Sequence, residues 1–273
     1  MIWEKDYKEL VLSNELEKRF PLFWEVLIEA LVKANIDYQI TKVFSDVWLR
    51  DYLGIPVSKN KIVSFKYAPS YMKDLSKLSL LQEEKNKFEE KNTTHSHLIV
   101  DGGNCVFNNK YVILCERIYK ENSKLSNSTI NKELKLQFQG RKLIIIPDLK
   151  NDEFGHADGL VRFYDQDSVF VLDMRNSYSR RLIKQLEKVG LNIIKLPYYN
   201  NYKVTGNELS AKGYYINYLR LGNKIILPQF DVKEDNEALK IMVKHFGARN
   251  TFPINCNAIA TQGGVLNCCS WTY

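Results

Sequence analysis

The first clear pattern along the chain is a helical spacing of apolar side chains between residues 14 and 35. Such a spacing predicts an amphipathic helix, and the side chains that form it are Leu16, Phe20, Phe23, Leu27, Leu31 and Val32. Pro21 lies inside this span, and because proline is tolerated in a first helical turn, the regular helix can begin there. A strand is predicted next, over 37–43, so the stretch forms a helix–strand unit typical of an α/β fold.

The same unit recurs downstream. Short apolar runs predict paired strands, with helix-like sequence between the members of each pair, at 111–114 and 143–146, 169–172 and 193–196, and 225–227 and 251–253. The first strands of these pairs start about 57 residues apart, just above the usual range for short structural repeats. We interpret the units as copies of one module.

Polar residues suited to catalysis come before these strands. Asp51 precedes an apolar run at 62–65, Asp101 precedes residue 111, and His156 and Asp158 precede residue 169. The segment 214–219 holds the same place before residue 225, and Cys268 follows at a similar interval. If the modules are arranged around an axis, these residues converge at its centre, and we therefore expect one active site built from five equivalent positions.

The segment 70–96 is charged, with helix-like sequence over 72–88. It is predicted to be an insertion over one face of the domain. Two interpretations stay open for it, a lid over a binding site or a solvated helix.

Composition excludes several classes of protein. With 45% hydrophobic and 26% charged residues, the chain is expected to fold and not to be disordered. Its net charge of +7 comes from 39 basic and 32 acidic residues. Because the lysines are spread along the chain, as at 59–66 and 85–91, a solvated surface is favoured over a nucleic-acid-binding face.

Nothing in the sequence predicts secretion, membrane insertion or a metal site. The first residues include Glu4 and Asp6, where a signal peptide would be basic and then apolar. No apolar run approaches the about 20 residues needed to span a bilayer. The five cysteines are odd in number and have no paired metal-ligand spacing. A reducing cytoplasm is therefore predicted, with no metal and no cofactor.

Two motifs contain acidic residues next to turn-forming sequence. Trp48, Arg50 and Asp51 lie close together, either as a structural ion pair beside a core tryptophan at a strand end or as a cation site. In the second case Asp51 would take two parallel N–H bonds from a planar guanidinium. Asp101 precedes a Gly-Gly pair and Asn104, and paired glycines permit a tight turn.

Two further motifs supply an acid/base and a nucleophile. His156 and Asp158, both flanked by glycine, are predicted to alternate along a strand and to share one face. A histidine beside a carboxylate suits acid/base catalysis, although a polar turn with a structural histidine remains an alternative. Cys268 follows a Gly-Gly pair. A free cysteine is more often a small buried apolar residue, and that interpretation fits Cys115 and Cys256.

Taken together and in this order, the motifs resemble the agmatine deiminase and bacterial-type peptidylarginine deiminase family of the guanidino-group-modifying (pentein) superfamily. The resemblance covers most of the chain. It runs through the segments Trp48–Asp51, Asp101–Asn104, Cys115–Arg117, Gly155–Gly159 with Arg162 and Phe163, Tyr214–Tyr218 and Gly263–Cys268.

The resemblance implies a fold and a set of roles. The fold is an α/β, five-bladed propeller of ββαβ modules around a pseudo-fivefold axis, with residues 1–273 as one catalytic domain. Cys268 matches the nucleophile and His156 the acid/base, and Asp101 takes the place of an acid that partners the histidine. The substrate-binding positions are implied to be Asp51, Asp158, Trp48 and Asn104.

The implied activity is a cofactor-free deiminase that acts on agmatine, arginine or a related guanidino compound. An amidinotransferase, a dimethylarginine-type hydrolase and a non-catalytic pentein scaffold remain alternatives. The expected partner is a small guanidino molecule, with no nucleic acid and no membrane. The sequence departs from the family pattern at Asn267, where histidine is frequent, and Cys269 directly follows Cys268, so which of the two thiols reacts stays open. The oligomeric state is not predicted.

Overall fold

The strands form five separate sheets of three strands each. The structure is a computed structural model that describes residues 1–88, 92–150, 152–199 and 210–273. In every sheet the central strand pairs antiparallel with one neighbour and parallel with the other. A parallel pair needs a crossover connection, commonly a helix. One or two helices lie between the parallel strands of each sheet, which confirms the predicted module.

The first module begins with strand β1 (Leu10–Ser13) and continues through helices α1 (Glu15–Arg19) and α2 (Pro21–Lys33) to strand β2 (Gln39–Thr41). The predicted helix over 14–35 is thus confirmed, with a break at Phe20. Pro21 is the first residue of α2, where its missing N–H has no helical partner to lose. The predicted strand over 37–43 is present but shorter.

The second module contains the segment predicted to be an insertion. It runs through helix α3 (Leu49–Tyr52), strands β3 (Ile55–Ser58) and β4 (Lys61–Lys66), helix α4 (Leu75–Phe88) and strand β5 (Thr93–Ile99). Helix α4 therefore lies between the parallel strands β4 and β5, the place that α2 takes between β1 and β2.

The third and fourth modules repeat this order. The third contains strands β6 (Val106–Phe107) and β7 (Tyr111–Cys115), helices α5 (Arg117–Glu121) and α6 (Asn127–Gln137), and strand β8 (Lys142–Ile146). The fourth contains strands β9 (Val161–Phe163) and β10 (Ser168–Asp173), helix α7 (Ser177–Lys188) and strand β11 (Asn192–Pro197). All four apolar runs predicted as strands here are confirmed.

The fifth module leads back to the first. It contains strands β12 (Leu219–Leu221) and β13 (Lys224–Gln229), helix α8 (Glu234–Phe246) and strand β14 (Thr251–Asn255), followed by helix α9 (Asn257–Ala260) and strand β15 (Ser270–Thr272). Strand β15 pairs antiparallel with β1, with Leu10 opposite Thr272. The first sheet is thus completed by the last strand, and this pairing closes the ring of modules.

Buried arginines join neighbouring modules. The guanidinium of Arg162 donates to the carbonyls of Ile216 and Tyr218, and Arg220 donates back to the carbonyl of Phe163. Glu4 pairs with Arg162 at 2.7 Å, which offsets the burial of that charge. These contacts fix the relative position of the fourth and fifth modules.

Within the described residues, no helix combines the length and apolar character required to cross a membrane.

Candidate active site

The segments that precede the first strand of each module meet at one place. Asp51 lies in α3, before β3; Asp101 lies directly before a 3₁₀ turn that leads to β6; and Asp158 lies before β9. Asn217 precedes β12, and Cys268 precedes β15. The distances given below show that these side chains are neighbours, as the repeat pattern predicts.

His156 lies between two carboxylates. Its Nε2 is 3.0 Å from Asp101 Oδ2, and its Nδ1 is 3.6 Å from Asp51 Oδ1. Gly103 permits this arrangement, since a Cβ at that position would lie 2.5 Å from His156 Nδ1 and 2.7 Å from Asp51 Oδ1. The absence of a side chain at residue 103 therefore leaves room for the histidine–carboxylate pair.

The prediction that His156 and Asp158 alternate along a strand is wrong. His156 directly precedes a 3₁₀ turn, Ala157–Gly159, that contains Asp158. Gly155, just before it, has a φ of +69° that favours glycine. The chain therefore turns before β9 begins. The two side chains still reach the same site, since the Asp158 carboxylate is close enough to act on the charge of the His156 imidazole.

The carboxylates keep His156 charged. Burial lowers the pKa of its imidazole, but Asp51, Asp101 and Asp158 outweigh burial and raise the pKa to about 10. Burial raises the pKa of Asp51 to about 7, with His156 opposing the rise and the other two carboxylates adding to it. Burial also raises the pKa of Asp158. At neutral pH the site thus contains an imidazolium, with two carboxyl groups of raised pKa, Asp51 and Asp158, beside it.

Asn217 holds the thiol of Cys268. Its Nδ2 donates to Cys268 Sγ at 3.2 Å, while its Oδ1 accepts from the backbone N–H groups of Asn267 and Cys268 at 3.0 and 3.3 Å. Burial, followed by the charges of Asp158 and Asp51, raises the pKa of the Cys268 thiol well above its ordinary value. The group is therefore a neutral thiol when the site contains no substrate.

The neighbouring thiol belongs to the core. Cys269 is fully buried in an apolar cluster with Val265 and Leu266, and its Sγ donates to the Leu266 carbonyl at 3.5 Å. Burial raises its pKa to about 12. Of the two adjacent cysteines, Cys268 is the one whose sulfur contacts the polar cluster, so the geometry favours it over Cys269 as the reacting group.

Two carboxylate oxygens in the cluster lack a donor. Asp51 Oδ1 and Asp101 Oδ1 are buried, and no described residue donates a hydrogen bond to them. A buried acceptor without a partner is destabilising, and such atoms are rare in folded proteins. In contrast, Asp158 Oδ2 accepts from the side-chain amide of Asn267 at 2.6 Å. These oxygens of Asp51 and Asp101 can therefore accept hydrogen bonds from a bound ligand.

The two remaining predicted binding residues have different surroundings. The Trp48 ring packs against Gly264, where a Cβ would lie 2.5 Å from the ring and 3.1 Å from the Cβ of Cys268. Asn104 is buried, and its Oδ1 accepts from the backbone N–H of Cys115 at 2.7 Å. Trp48 thus supports the loop that contains Cys268, while Asn104 ties its turn to β7. A contact of either residue with substrate stays a prediction.

A small cavity adjoins the histidine. It has about 230 Å³ of empty volume, including the part open to solvent. It is lined by Ile99, Val100, Asp101, Asn104, Arg117, Ile118, Glu121, Phe154 and His156. The cavity thus lies between α5 and the pair formed by Asp101 and His156.

Residues 13–273 match the model of a family described as Porphyromonas-type peptidyl-arginine deiminase. The chain belongs to this family. A curated relative from Marinomonas sp. (strain MWYL1), named "Putative agmatine deiminase", is 27% identical over 209 residues, which are 64% of this chain and 56% of that protein. The chain thus matches little more than half the length of this relative.

Solved structures share the fold. An agmatine deiminase of C. jejuni is 20% identical with a TM-score of 0.81, and the similarity covers 100% of this chain and 94% of that one. DDAH of Pseudomonas aeruginosa is 11% identical with a TM-score of 0.64, covering 98% and 100%. These similarities confirm the five-module pentein propeller expected from the sequence.

Asn217 and Tyr71 were not among the predicted site residues. Asn217 lies in the segment 214–219, which the repeat and the family resemblance both indicate, but neither of them assigns a role to Asn217 itself. The hydroxyl of Tyr71 donates to Asp101 Oδ2 at 2.7 Å, from the segment whose role the sequence left open. A hydroxyl or an amide carries no recognisable catalytic spacing, so only the three-dimensional contacts identify these two residues.

Proposed function

We propose that this protein is a guanidino-group hydrolase, a deiminase that releases ammonia and a ureido product through a covalent amidino-cysteine. The observation that carries this proposal is the buried, unpartnered oxygen of Asp51 next to a charged histidine, in a cluster that also contains a thiol. Family membership supports it, as does the presence of agmatine deiminases among the relatives of similar fold.

Asp51 and Asp158 would bind the substrate. A guanidinium is planar and presents N–H donors that fit carboxylates in pairs. Such a group would supply the missing donor to Asp51 Oδ1 and would offset the charge of two buried carboxylates. It would also be held in one orientation, so that its central carbon is presented to Cys268.

Substrate binding would activate the nucleophile. The charges of Asp51 and Asp158 help to keep Cys268 protonated in the free protein. A bound cation between these charges and the sulfur opposes their effect and lowers the pKa of the thiol, which then loses its proton to water. The Asn217 amide, which donates to the sulfur, favours the thiolate as well.

The reaction would proceed in two steps. The Cys268 thiolate attacks the guanidinium carbon, His156 gives its proton to the departing nitrogen, and ammonia leaves an amidino-thioether. The now neutral His156 then takes a proton from water as the water oxygen attacks the same carbon. The C–S bond breaks, the electron pair returns to sulfur, and the sulfur takes the remaining proton of the added hydroxyl as the carbonyl of the ureido product forms and the product leaves. Agmatine, arginine or a related guanidino compound would be the substrate.

The test is a substrate panel with two cysteine variants. We expect ammonia and ureido product in equal amounts from one of agmatine, arginine, an arginyl peptide or a methylated arginine. An alkylamine in place of ammonia would instead indicate a dimethylarginine-type hydrolase. Product that forms only when an amine acceptor is added would indicate an amidinotransferase.

Cys268→Ser should abolish turnover, and the matched Cys269→Ala should retain it, because the second sulfur lies in the core. A haloacetamidine should alkylate Cys268 in the wild-type chain, with loss of the halide, and the mass of the chain should rise by that of the amidinomethyl group. Full turnover by Cys268→Ser would contradict the proposal. The absence of both turnover and labelling would favour a non-catalytic scaffold.

We also propose a reducing, cytoplasmic location. All five cysteines are unpaired, as expected for a chain kept in a reducing compartment. Fractionation of the native host cells would test this, and recovery outside the cytoplasm would contradict it.

A further inference from the structure

Tyr71 contacts the catalytic cluster from outside the five repeated positions. It lies between β4 and α4, and its hydroxyl donates to Asp101 Oδ2 at 2.7 Å. The same oxygen lies 3.0 Å from His156 Nε2. A single carboxylate oxygen therefore binds both the tyrosine and the histidine.

Tyr71 is held in place independently of that hydrogen bond. The preceding residue, Ser70, donates to Glu121 through its backbone N–H at 2.9 Å and through its hydroxyl at 2.6 Å. The Tyr71 ring packs edge-on against Phe154 at 5.0 Å and lies 6.3 Å from the ring of His156. The phenol is thus held by contacts other than the one with Asp101, so it can orient the Asp101 carboxylate.

We propose that Tyr71 is a positioning residue that holds the Asp101 carboxylate against His156 and reduces the hold of this carboxylate on the histidine proton. The proposal rests on the proposed function, in which His156 must first give up a proton and then take one. The other oxygen of Asp101 has no donor among the described residues. Without the tyrosine, His156 would be the only side chain among the described residues with a hydrogen bond to this carboxylate.

Charged side chains face the imidazole from several elements. Its partners are Asp51 on α3, Asp101 on the turn before β6, and Asp158 on the turn before β9. Arg117 and Glu121 of α5 line the cavity that His156 shares with Asp101. A donor on Asp101 Oδ2 shares the negative charge that the imidazolium otherwise receives alone, so the proton of His156 is held less tightly.

The experiment replaces Tyr71 with Phe, which removes the hydroxyl and keeps the ring. The His156 side chain is followed by NMR from about pH 7 to about pH 11, with a His156→Ala spectrum for assignment. We expect the His156 titration to move up by about half a pH unit. With substrate, kcat should fall about tenfold while KM changes little, because Asp51 and Asp158 still bind the guanidinium.

Tyr178→Phe is the matched control. The hydroxyl of Tyr178 in the wild-type chain also donates a hydrogen bond at 2.7 Å, but to the backbone carbonyl of Pro147. This variant should leave both the titration and kcat unchanged. In an Asp101→Asn background, Tyr71→Phe should no longer move the His156 titration. Should Tyr71→Phe fail to fold, 3-fluorotyrosine at position 71, a stronger donor, should move the titration downward.

An unchanged His156 titration in folded Tyr71→Phe, or an equal shift in the Asp101→Asn background, would overturn the proposal. The NMR titration needs no turnover. Failure of the proposed deiminase activity would therefore show as inactivity of the wild-type protein on every substrate, and would be separate from failure of the Tyr71 proposal.

Discussion

The contact of Asn217 with the Cys268 thiol offers the sharpest test of how the proposed nucleophile is activated. Asn217→Ala removes one donor to Cys268 Sγ and one acceptor shared by two backbone N–H groups. A neutral donor to a charged acceptor contributes about 1.5–3 kcal/mol. At a fixed pH below the thiol pKa, this corresponds to roughly a ten- to hundredfold smaller fraction of thiolate. The rate of covalent labelling should fall by the same factor.

The assay is the rate of haloacetamidine addition at several pH values, with the free energy of unfolding measured alongside. Asn108→Ala is the control, because Asn108 is also a buried amide that binds backbone groups, at the N–H groups of Lys110 and Tyr111. Both variants should lose about 1–3 kcal/mol of stability. Labelling should slow only in Asn217→Ala. Equal labelling rates in the two folded variants would refute the role of the Asn217 amide.

Two further predictions concern the histidine–carboxylate pair. Gly103→Ala would place a methyl group 2.5 Å from His156 Nδ1. Because a small misplacement of catalytic groups can lower the rate about 10²-fold, we expect kcat to fall by that order. Near-normal turnover would show that the pair tolerates displacement. The second prediction is that stability falls as pH rises from about 4 to about 7, because folded Asp51, with its pKa raised to about 7, retains a proton that the unfolded chain has lost. Asp51→Asn should flatten that fall in urea titrations, and an unchanged slope would contradict the assignment. Above pH 7 the wild-type decline should continue, since His156 contributes stability below its ordinary pKa of 6.5 that is lost towards pH 10.

Much of the architecture could be predicted from apolar runs alone. The strands β7, β10 and β13 are short and apolar, and each is buried at its centre, so composition identifies them without any tertiary information. Their regular spacing then places Asp51, Asp101 and Cys268 at equivalent positions. The positions of these three residues in the modules could be predicted because each position depends on the sequence of its own module.

The rest depends on contacts between modules. The strand predicted around His156 is a 3₁₀ turn, and its geometry involves Gly155, which packs where Arg117 leaves no room for a side chain. Asn217 reaches a sulfur 51 residues away, and Tyr71 reaches a carboxylate 30 residues away. Local periodicity carries no information on such distant pairs, so the sequence could indicate a polar centre but not its supporting hydrogen bonds.

Because β15 pairs with β1, the position of Cys268 depends on whether the ring of modules stays closed. The loop of Cys268 and Cys269 is attached to β15, and Tyr273 exchanges backbone hydrogen bonds with Glu9 next to β1. A fluctuation that separates these two strands would displace the Cys268 thiol and expose the buried Cys269 at the same time. The rate at which a thiol reagent modifies Cys269 would thus report how often the ring opens. Reagents that react only with the open form would inactivate the protein at a rate set by how often β15 separates from β1.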